Sequence, residues 1–300
     1  YSKTDINSSR LVLEGEGSFS GTVLAKRTAD GRAYNSYVEL AHDKALQNGT
    51  LELQGYNGSN MALAVNTDNA QIKGLNGNEH TLAYGGASYR VNQDAAPTST
   101  RNSTLHITGD GTYEFKGAVD GLSIAMDGSG SQKFTGSNVS VANIHANAGR
   151  LEFSANTVVT DTIYLGKGGN LKMGESYNLN EGTTLAIIGN RGAFESTLVL
   201  NGGTLAFDSA ALNAGAAQFN GTMQFAEGLN TQTISIINPT ELILGRTYAL
   251  LSNDWTGKTA TLDTTTSDYL QGSFTADGTG LKLTVTLANG YAEWKGSNYD

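Results

Sequence analysis

The chain repeats one short phrase: two apolar residues flanking a polar one, then a few Gly, Asn, Asp or Ser. Leu105-His106-Ile107, Tyr113-Glu114-Phe115, Leu122-Ser123-Ile124, Val139-Ser140-Val141, Leu151-Glu152-Phe153, Ile163-Tyr164-Leu165 and Leu171-Lys172-Met173 succeed one another with little between them. Side chains alternate between the two faces of a strand, so each triplet buries two residues and exposes one. Strands this short need neighbours on both sides. A long series of them predicts an all-β solenoid, a single parallel β-helix rather than a pair of β-sandwiches.

Further triplets lie on both sides, among them Leu11-Val12-Leu13, Val38-Glu39-Leu40, Leu51-Glu52-Leu53, Leu82-Ala83-Tyr84, Leu198-Val199-Leu200 and Leu205-Ala206-Phe207. Three strands per coil gives about 20 to 30 residues per coil and on the order of 10 to 13 coils, rising roughly 50 to 60 Å at strand spacing. Asn-Gly and Asp-Gly pairs such as Asn76-Gly77 and Asp127-Gly128 supply the corners. Two stretches break the rhythm and read as loops leaving the stack: Arg27 to Tyr37, and Gly85 to Asn102 with Pro97 inside it. The division expected is coils over residues 1–240 and terminal coils or a cap over 241–300, because an open solenoid end exposes unpaired strand edges.

Composition narrows the function classes. The 38 Gly against 2 Pro fit tight turns rather than a Pro-rich linker. Only 16% of residues are charged, which suits stacked strands where like charges would face each other rung after rung. Net charge is −9 with no basic cluster, so nucleic acid and anionic membrane surfaces are poor partners. Cysteine is absent, which removes thiol chemistry and thiolate metal sites. No apolar run approaches the length of a membrane-spanning helix, about 18 residues, and any export signal or anchor is expected outside this sequence.

From Leu11 to Leu53 the order of elements is specific. Leu11-Val12-Leu13-Glu14-Gly15 leads through Ser18-Phe19-Ser20-Gly21 to Val38-Glu39-Leu40 and closes on Gly49-Thr50-Leu51-Glu52-Leu53. This resembles the passenger-associated repeat of Gram-negative autotransporter proteins. Weaker echoes run from Leu105 to Val119 and from Leu122 to Val139, and Leu242 to Ser252 resembles a strand placed near the end of such passengers. The resemblance implies a right-handed parallel β-helix displayed outside the cell, at the bacterial surface. It names no ligand.

Catalytic constellations are thin. Glycoside cleavage needs paired carboxylates, yet no two acidic residues are adjacent in the chain. His42, His80, His106 and His145 are isolated, without metal-ligand spacing. Asp127-Gly128-Ser129-Gly130 lacks the acidic twelfth position of a calcium loop, where Asn138 stands. No cofactor and no metal are expected. Aromatic and arginine side chains are the better lead: Arg32, Tyr34, Tyr37, Tyr89 and Arg90 sit in or beside the two inserted loops, the residue types that supply contact energy at surfaces. The alternative is that these rings pack the loops onto the helix flank. The expectation is a non-enzymatic adhesin or stalk segment contacting a surface glycan, a protein or another copy of itself. A polysaccharide lyase or glycoside hydrolase on the same fold is the rival, and a spacer without a ligand the third possibility.

Overall fold

The computed structural model describes residues 9–27, 36–57, 60–86, 98–166, 168–189, 192–213, 219–263 and 270–287. Strand takes up 61% of the described residues and helix 3%, and the strands build one large parallel sheet with a small antiparallel one beside it.

The parallel pairings fall into three ladders. The first runs through residues 9–13, 36–40, 61–65, 81–85, 118–120, 139–141 and 158–159. It reappears as 176–180, 197–201 and 222–225. The second passes from Leu46 through 69–72, 104–107, 123–126, 144–146, 162–165, 184–187 and 204–208 to 231–237 and 259–262. The third links 22–26, 50–54, 74–77, 112–115, 131–134, 150–153 and 170–173. The chain visits them in a fixed order, as in 118–120, 123–126 and 131–134, and then returns to the first at 139–141. Ten strands of the second ladder, about 4.8 Å apart, span about 43 Å, near the low end of the expected coil number.

Inward positions form one continuous core. Leu105, Ile107, Leu122, Ile124, Leu151 and Phe153 are all at most 1% exposed. Like residues stack on like. Phe115, Phe134 and Phe153 face one another along the third ladder, with ring centroids 6.1 and 5.2 Å apart. Where the strand Ala118–Met126 turns a corner, Gly121 takes φ of +60°, a conformation that favours glycine.

Polar side chains fill the breaks in the ladders. The strands Asn69–Gly77 and Thr112–Phe115 meet only at Gly77 and Phe115, leaving Leu75 without a backbone neighbour there. The Gln132 side chain, fully buried, supplies one: its Oε1 accepts from Leu75 N at 3.0 Å and its Nε2 donates to Leu75 O at 2.9 Å. Ser196 serves the corner near Gly174 in the same way, accepting from Met173 N at 2.7 Å and donating to Gly174 O at 2.8 Å.

The register departs from the triplet expectation on the first ladder. Ala83 aligns with Leu63 and faces the core, so Leu82 and Tyr84 point outward. They are nevertheless buried, in a second apolar cluster with Tyr37, Ala62 and Ala64. Glu39, the polar centre of its triplet, is 2% exposed and is held by Arg10 and Asn66 at 2.9 Å each. The outward face of this ladder is covered over these rungs, so alternation no longer separates buried from exposed.

Toward the C-terminus the pairing changes character. Thr247–Leu251, Leu270–Asp277 and Gly280–Leu287 form an antiparallel sheet. Trp255 is fully buried there against Phe225, edge to face at 5.0 Å.

Candidate ligand-contact surface

The corners between the third and first ladders are built on close backbone approach. A Cβ on Gly136 would lie 1.9 Å from Gly117 O, and one on Gly117 would lie 2.4 Å from Thr81 O. Only glycine lets these corners stack at rung spacing. The residues that follow, Ala118 after Gly117 and Ser137-Asn138 after Gly136, are thereby carried onto the outer face of the first ladder. Val119 N donates to Asn138 O at 2.9 Å and fixes the two corners against each other.

Two hollows meet at these corners. One, about 380 Å³, reaches from Leu82 and Thr98 across Ala118 to Ser140, Asn156 and Val158. The other, about 400 Å³, reaches back to Asn60 and Glu79. They share Ala118, Ser137 and Asn138, so together they make one groove crossing several rungs. The first hollow sets Leu82, Ala118 and Val158 among amides and hydroxyls, and the second is mostly polar, with Glu79 and Lys116 in its lining. Val158 is 55% exposed, a large apolar side chain open to solvent in mid-stack. Asp120 accepts from Ser99 N at 2.6 Å, which ties the segment 98–103 along one rim. The one cation of the groove lining among the described residues, Lys116, lies 3.6 Å from Glu114.

A third hollow, about 380 Å³, adjoins the groove on the outer face of the third ladder and brings together Glu52, Glu79 and Glu114. Glu114 accepts from Thr135 Oγ1 at 3.1 Å as well as pairing with Lys116, and Glu52 accepts from Gln54 at 2.5 Å. The Glu79 side chain is 70% exposed.

On the outer face of the second ladder, His106, Ala125, His145 and Tyr164 occupy successive rungs. Asp127 receives His106 Nδ1 at 2.6 Å and Asn147 Nδ2 at 2.8 Å. The His106 hydrogen bond holds the Asp127 carboxyl below the usual carboxylate range, against partial burial. Burial, reinforced by the nearby His106, pushes the His145 imidazole down. His145 stacks on Tyr164 with centroids 4.5 Å apart. No group of three or more His, Asp or Glu suited to a metal ion occurs among the described residues.

Of the contact residues expected from sequence, Arg32, Tyr34, Tyr89 and Arg90 lie outside the described residues. Tyr37 does not stand in a loop. It is the second residue of the strand Ser36–Leu40, is 4% exposed and packs in the outer apolar cluster with the Arg10 guanidinium 5.8 Å from its ring. It points outward as alternation requires, but the face it points from is covered, so its ring is a packing element. Sequence reasoning did not single out the lining residues Ser137, Ser140 and Asn156 as contact residues: Ser140 read as the exposed centre of the triplet Val139-Ser140-Val141, and Asn138 entered only as the non-acidic twelfth position after Asp127. The available signal was the spacing of Gly117 and Gly136, which is 19 residues, as for Phe115 and Phe134.

No family model matches the chain, and no curated protein and no solved structure matches it either.

Proposed function

We propose that the chain is a non-enzymatic adhesive or stalk segment of an autotransporter-like bacterial surface protein, folded as a right-handed parallel β-helix and working outside the cell. The observation that carries this reading is the parallel three-ladder register over some ten rungs, the form of a stiff rod whose outer faces present amides, hydroxyls and rings. A rod of this kind acts by geometry: it holds weak contact sites at fixed spacing, and several weak contacts made at once add through effective concentration. Its partner would be a surface glycan, a surface protein or a second copy. The resemblance over Leu11 to Leu53 supports the cellular setting.

Adhesion tests it directly. Beads coated with the purified chain should adhere to glycan-bearing cells or to each other, while uncoated beads do not. Beads that stay dispersed on every surface would leave only a spacer.

The hollow with Glu52, Glu79 and Glu114 favours a second reading, a polysaccharide-active enzyme, because glycoside cleavage uses clustered carboxylates. Against it, Lys116 and the Gln54 amide already engage two of the three, and the third is open to water. Reducing-end release from pectin or mucin glycans that disappears in Glu114→Gln would establish the enzyme.

A further inference from the structure

The geometry points to the groove of the first ladder as a binding site for a neutral oligosaccharide; this rests on the adhesive reading and names the class of ligand.

The first argument is the chemistry of the lining. Asn60, Ser137, Asn138, Ser140 and Asn156 present amides and hydroxyls that make no side-chain hydrogen bond to the described residues. Several amides on neighbouring rungs are engaged, Asn66 on Glu39, Asn78 on Gly55, Asn143 on Ser123 and Asn147 on Asp127, whereas Gln71, Asn170 and Asn178, like the groove residues, have no such bond to the described residues. What sets the groove apart is that its five groups converge on one pair of joined hollows. Amides and hydroxyls both donate and accept, which matches a ligand whose own hydroxyls do both. Between them lie Ala118 and the exposed Val158, an apolar strip on which the C–H face of a pyranose ring rests.

The second argument is what the groove excludes. Asp120 stands in one hollow and Glu79 in the other, and Lys116, the one cation among the described lining residues, is paired with Glu114. On a chain of net charge −9, a phosphate, sulfate or uronate would meet repulsion. A peptide adding as a strand needs a free sheet edge. Residues 118–120 and 139–141 have none, since each is paired on both sides, and Val158–Val159, paired on one side only among the described residues, offers an edge just two residues long. The ligand is therefore recognised by side chains across the sheet face.

The third argument is form. The groove runs across successive rungs about 4.8 Å apart, with Asn60, the group Ser137, Asn138 and Ser140, and Asn156 standing on different rungs along it. A polymer of repeating rings with hydroxyls on both edges has the matching form.

The test is titration calorimetry of the folded chain with cellohexaose, maltohexaose and chitohexaose, with polygalacturonate as the charged comparison. One neutral hexasaccharide should bind, with an affinity that changes less than twofold between 50 and 500 mM salt. The double variant Asn138→Ala/Asn156→Ala should weaken it at least tenfold at unchanged melting temperature, since neither side chain bonds to the described residues. Val158→Asp provides a second variant, expected to weaken binding by desolvating a charge against the sugar. Failure of all three neutral ligands, preference for polygalacturonate, or full binding by both variants would overturn the site. Bead adhesion by the wild type alongside no oligosaccharide binding would overturn the groove and leave the adhesive reading standing. Loss of bead adhesion with oligosaccharide binding intact would do the reverse.

Discussion

Replacing Gln132 by Leu tests whether a buried side chain can serve as a strand. Gln132 and Leu75 are both fully buried, and the amide satisfies the N–H and the C=O of Leu75 together. Leucine fills a similar volume and satisfies neither. An orphaned buried main-chain group costs about 1–3 kcal/mol, so two cost about 2–6 kcal/mol. Burying the leucine side chain returns about 1.5–3 kcal/mol. A net loss of about 2 kcal/mol is expected, taking the middle of each range, and is read as a lower urea midpoint at unchanged slope. The Leu75 amide should also lose hydrogen-exchange protection relative to its neighbours on the same strand. Gln132→Glu adds a sign. A carboxylate still accepts from Leu75 N but faces Leu75 O without a proton to donate, so the folded state raises its pKa above the unfolded value of about 4.3. Its stability is then greatest below about pH 4 and declines relative to wild type as pH rises toward 7. If Gln132→Leu unfolds within about 0.5 kcal/mol of wild type and Leu75 stays protected, the amide is not the partner that matters.

Tyr37→Ala should cost about 3–5 kcal/mol, because the ring is buried in the outer cluster, and differential unfolding in urea checks it. Phe134→Ala, which removes the middle ring of the stack with Phe115 and Phe153, should cost a similar amount. Gly136→Ala should abolish or severely weaken folding, since its Cβ would sit 1.9 Å from Gly117 O, and circular dichroism melting reads it out. His145, whose pKa is lowered by burial and by His106, favours the unfolded state once it is protonated. That contribution is complete above about pH 6.5 and is lost as pH falls below it, whereas Asp127 acts only under more acidic conditions. His145→Gln should therefore flatten the decline in stability between pH 7 and 5.

The core was legible because its periodicity is two and its triplets are complete. Leu105, Ile107, Leu151 and Phe153 could be assigned inward from sequence alone, and the structure buries them. The antiparallel sheet was less so: the run from Leu242 reads as one strand, but Leu242 to Arg246 forms turns and the strand begins at Thr247. Alternation identifies two faces and says nothing about whether the outer one is later covered, which is why Leu82, Tyr84 and Tyr37 were misplaced. Gln132 was invisible for a different reason. A lone glutamine in a strand looks solvated until the neighbouring rung is known to gap at Leu75. The groove depends on which corners come to lie side by side, a property of coil length that turn residues do not announce.

The ladder register also bears on how such a chain acquires its fold. Phe115 meets Phe134, Phe134 meets Phe153 and Phe153 meets Met173, so each partner is only one coil further along the chain. A sheet protein is usually slow to fold because its strands find distant partners, yet here the sequence separation of contacts stays near one coil however many coils are stacked. The tightest closure is at the far end, where Asp277 faces Gly280 in the hairpin joining Leu270–Asp277 to Gly280–Leu287. A segment that short closes its loop in microseconds, in a sheet of its own that, among the described residues, pairs with none of the parallel ladders. In the parallel ladders ordering can spread rung by rung, each step requiring only the next stretch of chain, so that adding rungs adds steps without raising the barrier to any one of them.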